Sequence, residues 1–165
     1  AGEICIPKDQ GSCHHELEMS VLIGVPLTNA SEAEVKHAIL GYGLGLDLTL
    51  RDLQSKLKEK SHPWEVAKSF DGACPLSEFV PTGAVNDPLN TPLSLHVNDA
   101  CRQQGNTRDM ITPLYALIAH MSRFFTLLPG DVVLTGTPAG VAALQVGDRL
   151  QANLGDGLAC SATVA

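Results

Sequence analysis

The chain has 165 residues, of which 44% are hydrophobic and 18% are charged, and its formal net charge is −7. This length and composition are typical of one globular domain with a hydrophobic core, so we expect residues 1–165 to form a single domain. The negative charge argues against nucleic acid or an anionic membrane as the main partner. No apolar run approaches the roughly 20 residues of a membrane-spanning helix, and no signal peptide is visible.

The five cysteines are widely spaced, odd in number and without a Cys-x-x-Cys pair. A disulfide framework or a zinc knuckle is therefore not expected. We expect reduced, structural thiols in a cytoplasmic protein.

The first predicted elements are a short strand at Ile4 and Ile6 and a longer strand between Gly11 and Gly24. Successive side chains of a strand alternate between its faces. One face of the longer strand is apolar: Leu17, Met19, Val21 and Ile23. The other face is polar: His14, Glu16, Glu18 and Ser20.

The polar face of this strand carries two carboxylates, Glu16 and Glu18, which would lie about 7 Å apart along the chain. Half-buried carboxylates this close repel each other unless a cation or a hydrogen-bond donor compensates them. Oxygen ligands without a cysteine favour a hard ion such as Mg²⁺, Mn²⁺ or Ca²⁺. A Glu-x-Glu pair alone is more often a solvated strand face, so both interpretations stay open at this point.

The next elements are two helices with a strand between them. Ser31 to Glu34 form a capping-box pattern, which predicts a helix that ends near Gly41. Leu44, Leu46, Leu48 and Leu50 then alternate with polar residues and glycines up to Arg51, which predicts a second strand with Asp47 on its polar face. Three glycines of this strand would let another backbone or a ligand approach closely: Gly41, Gly43 and Gly45. A charged helix is predicted from Asp52 to Lys60.

The second half of the chain contains more strands than helices. A strand at Leu93–Val97 enters a turn at Asn98-Asp99, and a helix is predicted from Thr112 to Leu128. Its apolar stripe is expected in the core: Leu114, Leu117, Ile118, Met121 and Phe125. Further strands are predicted at Asp131–Thr135, before the Gly136–Gly140 segment, and in a closing hairpin: Val146–Leu154 and Leu158–Val164. The fold class is therefore mixed α+β, mainly β, with largely antiparallel sheets and a few outer helices.

Four residues join the two glutamates as candidate site residues. Asp47 adds a third carboxylate, while Arg51, Gln54 and Lys68 could bind an anion. Three carboxylates on one divalent ion leave coordination positions open, and an arginine can hold a carboxylate with two parallel hydrogen bonds. This combination favours a small dicarbonyl compound or oxo acid as substrate. Alternatively, Lys68 is a surface lysine and Arg51 pairs with Asp52 or Glu18.

Motifs along nearly the whole chain resemble the fumarylacetoacetate hydrolase superfamily, specifically its acylpyruvase-like bacterial and mitochondrial branch. They come in the order of the family: His14-His15-Glu16-Leu17-Glu18, Gly41-Tyr42 through Gln54, Trp64 through Asp71, Pro129-Gly130-Asp131, Thr135 through Val141, and Gly147-Asp148. The resemblance implies the family's C-terminal-domain fold and a homodimer. No GxGxxG, GxxxxGK or GxSxG motif points instead to a nucleotide site or a serine hydrolase.

The resemblance also implies roles for individual residues. Glu16, Glu18 and Asp47 would bind Mg²⁺ or Mn²⁺, with Ca²⁺ as a further option. Substrate-binding roles, for the carboxylate and carbonyl of a pyruvyl group, are implied for Arg51, Gln54 and Thr137, whose hydroxyl could otherwise serve only a turn. Lys68 would assist catalysis electrostatically.

The function implied is metal-dependent hydrolysis of a carbon–carbon bond in acylpyruvate-like 2,4-dioxo acids through a metal-stabilised enolate. An isomerase, tautomerase or decarboxylase of oxo-dicarboxylic acids, such as oxaloacetate or 2-hydroxyhepta-2,4-diene-1,7-dioate, is the first alternative. A catalytically silent, metal-stabilised binding protein is the second.

One part of the family pattern has no counterpart in the chain. Members of this branch usually have a segment ahead of Ile4 with a lid that carries a water-activating His and Glu pair, so we expect residues 1–165 to be a catalytic domain without this segment. His14 lies on the carboxylate face of its predicted strand and could contact the site. His15 points to the core side, where a structural role is expected.

Overall fold

The computed structural model describes residues 2–165, which form three α-helices and twelve β-strands. The helices are α1 (Glu32–Ala38), α2 (Arg51–Glu59) and α3 (Leu114–Met121). The first six strands are β1 (Gly2–Ile4), β2 (Cys13–His15), β3 (Leu17–Ile23), β4 (Ile39–Leu46), β5 (Thr49–Leu50) and β6 (Val80–Pro81). The last six are β7 (Pro92–Val97), β8 (Ala100–Asn106), β9 (Val132–Leu134), β10 (Ala142–Ala143), β11 (Arg149–Leu154) and β12 (Leu158–Val164). Short 3₁₀ turns occur at Glu65–Ala67, Thr82–Ala84 and Thr107–Asp109.

The strands form three sheets. Their strand orders are β1-β12-β11-β7-β8, β10-β2-β5 and β6-β4-β3-β9. Pairing is antiparallel except between β1 and β12, which run parallel. The predicted fold class, mixed α+β and mainly β with largely antiparallel sheets, is confirmed.

Helix α1 begins where the capping box predicts. Ser31 Oγ accepts from the Glu34 backbone N–H, and the Glu34 carboxylate accepts from Ser31 in return. The predicted end at Gly41 is wrong, because Ile39 is already extended and opens β4 by pairing with Ile23.

Two predicted strands are each broken at a carboxylate. The strand expected between Gly11 and Gly24 is interrupted at Glu16, so that β2 and β3 belong to different sheets. The strand expected to reach Arg51 is interrupted at Asp47, and Arg51 begins α2 instead. The two interruptions meet, since the Asp47 backbone N–H donates to the Glu16 carbonyl oxygen at 2.9 Å. This contact positions the candidate site.

Helix α3 is shorter than predicted. It ends at Met121, and the Ser122 hydroxyl donates to the Ala119 carbonyl while accepting from the Ala30 N–H. A serine that bonds the backbone in this way competes with helix continuation. Phe125, expected in the core, is 63% exposed, whereas Leu114 and Ile118 are buried as predicted.

The core lies between the sheets and helices, and both faces of β3 are buried for most of its length. The glycines of β4 permit the close approaches that the sequence predicts. A Cβ atom at Gly41 would lie 2.6 Å from the Val80 carbonyl oxygen, so only glycine lets β6 pair there. All five cysteines are free. Within residues 2–165, the helices are all too short or too polar to cross a bilayer.

Candidate metal centre and active site

Three carboxylates meet where the broken strands face each other. Glu16, Glu18 and Asp47 each place one oxygen atom within 4.8 Å of the other two. Glu16 and Asp47 come from the two strand interruptions and Glu18 from β3. The structure therefore brings together the three residues that the sequence nominated as metal ligands, although their roles stay predictions.

Glu18 is the most buried carboxylate of the three, with 4% of its surface exposed. Burial raises its pKa to about 7; the hydrogen bond from the Gly136 backbone N–H acts in the opposite direction, and the charges of Asp47 and Glu16 add to the rise. In the metal-free chain this carboxyl group is consequently protonated in a substantial fraction of molecules at neutral pH.

Glu16 is held by two cations. Lys68 Nζ donates to Glu16 Oε2 at 2.9 Å, and the Arg51 guanidinium donates to Glu16 Oε1. Burial alone would raise the pKa of Glu16, but the hydrogen bonds from Lys68 and Arg51 outweigh it and lower the pKa. Glu16 is therefore ionised at neutral pH, whereas Glu18 is only partly ionised.

Lys68 links two of the three carboxylates, because Nζ also donates to Asp47 Oδ2 at 2.5 Å. Its side chain is 19% exposed, so it is not a surface lysine. The chain reaches this position directly after the 3₁₀ turn Glu65–Ala67. The ammonium group supplies positive charge to a cluster of like charges that would otherwise be costly to bury.

Arg51 and Gln54 lie on the first turn of α2. Arg51 Nη1 donates to Gln54 Oε1 at 2.8 Å, and Gln54 is buried. The alternative pairing of Arg51 with Asp52 or Glu18 is wrong, since its acidic partner is Glu16. Asp52 instead accepts from the Ser12 backbone N–H. The two candidate substrate-binding residues of α2 thus lie against the carboxylate cluster.

Thr137 lies in the Gly136–Gly140 segment after β9. Its hydroxyl donates to the Leu17 carbonyl oxygen at 2.8 Å and accepts from Gln103 Nε2 at 2.7 Å. Thr137 is therefore beside Leu17, the residue between Glu16 and Glu18. Gln103 was missed by sequence reasoning, because a glutamine in a polar strand with no site residue beside it gives no signal.

His14 and His15 lie on opposite sides of the strand, as the alternation of side chains predicts. His15 is buried and its Nδ1 bonds Gln103 Oε1 at 2.8 Å, which confirms its structural position. His14 is half-buried and contacts Ser12 Oγ at 3.4 Å. Its ring lies outside the carboxylate cluster that could hold a metal ion. Burial, followed by the positive charge of Arg51, lowers the pKa of His14.

The donor set fits a hard divalent cation. Each of the three residues offers carboxylate oxygen, the ligand type that Mg²⁺ and Mn²⁺ prefer, and three protein ligands leave positions free for water or a chelating substrate. Cys74 and Cys13 contribute no sulfur to this cluster.

The whole chain, residues 1–165, matches the family model described as fumarylacetoacetate (FAA) hydrolase, C-terminal. The chain belongs to the fumarylacetoacetate hydrolase family. It is 59% identical over 148 residues to oxaloacetate tautomerase YcgM of Escherichia coli, with 89% of this chain and 68% of the relative covered. It is 42% identical over 151 residues to the mitochondrial oxaloacetate tautomerase FAHD1 of Bos taurus, with 92% of this chain and 68% of the relative covered.

A solved structure is similar over the whole chain. The fumarylpyruvate hydrolase from Pseudomonas aeruginosa, solved in complex with Mn²⁺ and pyruvate, superposes with a TM-score of 0.94 at 35% identity. The match covers 100% of this chain and 71% of that one. The predicted family is confirmed, and the chain is an enzyme of the fumarylacetoacetate hydrolase family.

The raised pKa of Glu18 makes the stability of the metal-free chain depend on pH. A comparison of the wild type with Glu18→Gln isolates this contribution. Between the ordinary pKa of 4.5 and the folded value of about 7, the folded chain binds more protons than the unfolded one. Stability therefore falls as the pH rises through this range. We expect the metal-free wild type to lose about 2 kcal/mol relative to Glu18→Gln between pH 5 and pH 8.

Urea unfolding of both proteins at the two pH values, with chelator present, measures this difference. The comparison cancels the contributions of His14 and His15, which are common to both proteins. An equal pH dependence in wild type and variant would contradict the raised pKa.

Gly140 fixes the segment that carries Thr137. Its φ is +103°, and a Cβ atom there would lie 1.9 Å from the Arg102 carbonyl oxygen in β8. We expect Gly140→Ala to lower the free energy of unfolding by about 2 kcal/mol or more, because the backbone must shift as well as adopt a strained φ.

Gly147→Ala is the matched control, since its φ is +90° with open space around it. Its expected cost is about 1 kcal/mol. Equal losses in a denaturant titration would mean that the segment can move away from β8 freely.

Proposed function

We propose that this chain catalyses the keto–enol tautomerisation of oxaloacetate or a closely similar oxo-dicarboxylic acid, with Mg²⁺ or Mn²⁺ bound by Glu16, Glu18 and Asp47. The observation that carries the proposal is the clustering of these carboxylates with Arg51 and Lys68. The 59% identity to a relative named oxaloacetate tautomerase supports this choice of reaction over hydrolysis.

An oxo-dicarboxylic acid carries two negatively charged carboxylates. The cationic side chains of the site would bind this substrate. Arg51 has a planar guanidinium group that can bind a carboxylate with two hydrogen bonds, and Gln54 holds one edge of it in place. The Gln54 amide nitrogen can donate to the oxo-acid end. The Thr137 hydroxyl can do so by turning its proton from the Leu17 carbonyl oxygen to the substrate. These contacts would orient the 2-oxo group toward the carboxylate cluster.

Tautomerisation moves one proton between the carbon next to the carbonyl group and the carbonyl oxygen. A bound divalent ion supplies Lewis-acid stabilisation of the negative charge that develops on this oxygen. Lys68 adds a positive charge beside Glu16 and Asp47, whose side chains are partly buried, so that charge interactions there are stronger than in bulk water. These residues would thus lower the free energy of forming the enolate. Tautomerisation breaks no carbon–carbon bond.

A second candidate is hydrolytic cleavage of an acylpyruvate-like 2,4-dioxo acid. It is favoured by the TM-score of 0.94 to a fumarylpyruvate hydrolase. Both reactions pass through an enolate on the same pyruvyl group, so the cluster would serve either one. Hydrolysis also needs an activated water. His14 lies outside the carboxylate cluster. The 59% identity to a relative named oxaloacetate tautomerase makes hydrolysis the second choice.

The two candidates are separated by a paired assay on the purified chain. The loss of ultraviolet absorbance of enol oxaloacetate and of acetylpyruvate is followed with Mg²⁺, with Mn²⁺ and with chelator. Metal-dependent loss with oxaloacetate alone, without release of pyruvate or carbon dioxide, supports the tautomerase. Pyruvate release from acetylpyruvate would favour the hydrolase, and carbon dioxide release from oxaloacetate would indicate a decarboxylase.

Inactivity on both compounds, combined with stabilisation by Mn²⁺, would support a metal-stabilised binding protein instead. The expected homodimer is tested on the same preparation by light scattering after size-exclusion chromatography. A monomer that retains activity would show that the site is complete within one chain.

A further inference from the structure

The side chain of Gln103 is almost fully buried, with 1% of the residue exposed, and it makes four hydrogen bonds. It projects from β8, a strand that contributes no candidate ligand or substrate-binding residue. When all hydrogen-bonding groups of a buried amide are paired, replacing the residue lowers the stability of the fold. Such an amide also holds its partners in place.

The oxygen of this amide holds the strand that carries the metal ligands. Gln103 Oε1 accepts from the Leu17 backbone N–H at 3.0 Å and bonds His15 Nδ1 at 2.8 Å. These two residues flank Glu16, where β2 ends and β3 has not begun. Gln103 therefore replaces sheet hydrogen bonds at the strand interruption.

The nitrogen of the same amide holds the segment after β9. Gln103 Nε2 donates to Thr137 Oγ1 at 2.7 Å and to the Pro138 carbonyl oxygen at 2.9 Å. Thr137 in turn donates to the Leu17 carbonyl oxygen at 2.8 Å. A closed ring of hydrogen bonds thus joins β8, the Glu16 region and Thr137.

Packing against β8 reinforces this arrangement. A Cβ atom at Gly105 would lie 2.7 Å from Pro138 Cβ, and one at Gly140 would overlap the Arg102 carbonyl oxygen. Both glycines let the segment from Gly136 to Gly140 lie directly on β8. The segment is seated by these close contacts, and Gln103 joins it by hydrogen bonds to the backbone beside Glu16.

We propose that Gln103 is a positioning residue, which sets Thr137 and the Gly136 N–H relative to Glu16 and Glu18, so that one oxo acid could bind the divalent ion of the carboxylate cluster and contact Thr137 at once. This inference rests on the proposed function, since it concerns how the substrate is aligned. The two halves of the amide have separable tasks: the oxygen maintains the metal-ligand strand, and the nitrogen maintains the substrate-binding segment.

Gln103→Glu tests this division, because it keeps the size and the accepting oxygen but loses the two donors when ionised. Mn²⁺ and oxalate, a small chelating dicarboxylate, serve as probes in titration calorimetry on the full chain. We expect the Kd for Mn²⁺ to change by less than about threefold and the Kd for oxalate in the presence of Mn²⁺ to rise about tenfold or more. Gln103→Met, which loses both halves, should weaken the binding of both probes.

Gln151→Glu is the matched control, since it adds the same charge on an exposed side chain of β11, a strand that carries no candidate site residue. It should bind both probes as the wild type does. Unchanged oxalate binding in Gln103→Glu would overturn the inference, as would parallel weakening of Mn²⁺ and oxalate in that variant. A wild-type chain that binds Mn²⁺ but no oxalate would refute the proposed function, and the inference would fail with it.

A measurement on the wild type covers the case in which the variants do not fold. With glutamine side chains labelled with ¹⁵N and Mg²⁺ present, oxalate should shift the Gln103 amide resonance and leave that of the exposed Gln151 unchanged. A Gln103 resonance that does not respond to bound oxalate would overturn the inference independently of any substitution.

Discussion

Asp47→Asn should remove metal binding while the fold remains intact. The substitution keeps the shape of the side chain but removes one of three anionic ligands, and an amide oxygen is a much weaker partner for a divalent ion. We expect the Kd for Mn²⁺ to rise at least about 100-fold, with an equal or larger loss of turnover of enol oxaloacetate. Titration calorimetry and the ultraviolet assay measure the two effects.

Asp156→Asn is the control for this substitution, because Asp156 lies in the exposed turn between β11 and β12 and asparagine suits the same turn. It should bind Mn²⁺ normally. Circular dichroism establishes that both variants are folded. If Asp47→Asn binds Mn²⁺ as tightly as wild type, the cluster is not the metal site.

Lys68→Met should affect catalysis and metal binding in opposite directions. Lys68 Nζ lies within 3 Å of an oxygen of Glu16 and of Asp47, so it repels an incoming cation in addition to neutralising the carboxylates. We expect Mn²⁺ to bind at least as tightly to the variant. The kcat should nevertheless fall about 100-fold, because a positive charge beside the developing enolate is lost.

The metal-free Lys68→Met protein should also be less stable, by about 1 to 3 kcal/mol, since Asp47 then loses its cation and Glu16 keeps only Arg51. Added Mn²⁺ should restore much of this loss, and urea titrations with and without the ion measure it. Lys36→Met, on the exposed side of α1, controls for the loss of a positive charge in general. An unchanged kcat in Lys68→Met would contradict a catalytic role for Lys68 and would indicate a structural role only.

Local signals in the sequence predicted the ends of several elements well. The capping box at Ser31 places the start of α1, and two turns are found where their residues indicate, at Asn98-Asp99 and at Asp156. Asn98 and Asp99 both have positive φ, a conformation that these residue types tolerate better than most. Such features depend on neighbouring residues only and can be read without knowledge of the fold.

The interruptions at Glu16 and Asp47 could not be predicted in this way. The alternation of polar and apolar residues continues through both positions, and hydrogen bonds between distant segments decide where pairing stops. Gln103 was missed for the same reason, because its partners lie 34 to 88 residues away in the chain. Phe125 was assigned to the core from helical spacing, but the helix ends before reaching it.

The candidate site was predicted mainly through the family resemblance and not through periodicity. The Glu-x-Glu pair alone left a solvated strand face as the more common interpretation. The structure brings the residues of the resemblance together, although the roles of Arg51, Gln54 and Thr137 toward a substrate stay predictions. The single domain and the homodimer likewise stay predictions.

The meeting of two interrupted strands has a consequence for ion exchange. Glu18 projects from a strand with paired neighbours on both sides, and Glu16 and Asp47 are joined through their backbones. The conformational entropy of assembling these ligands is therefore lost when the chain folds and not when an ion binds. If the cluster holds a divalent ion as proposed, one ion could leave and another enter while the backbone stays in place, so that the bound ion would follow the supply of divalent cations in the surroundings.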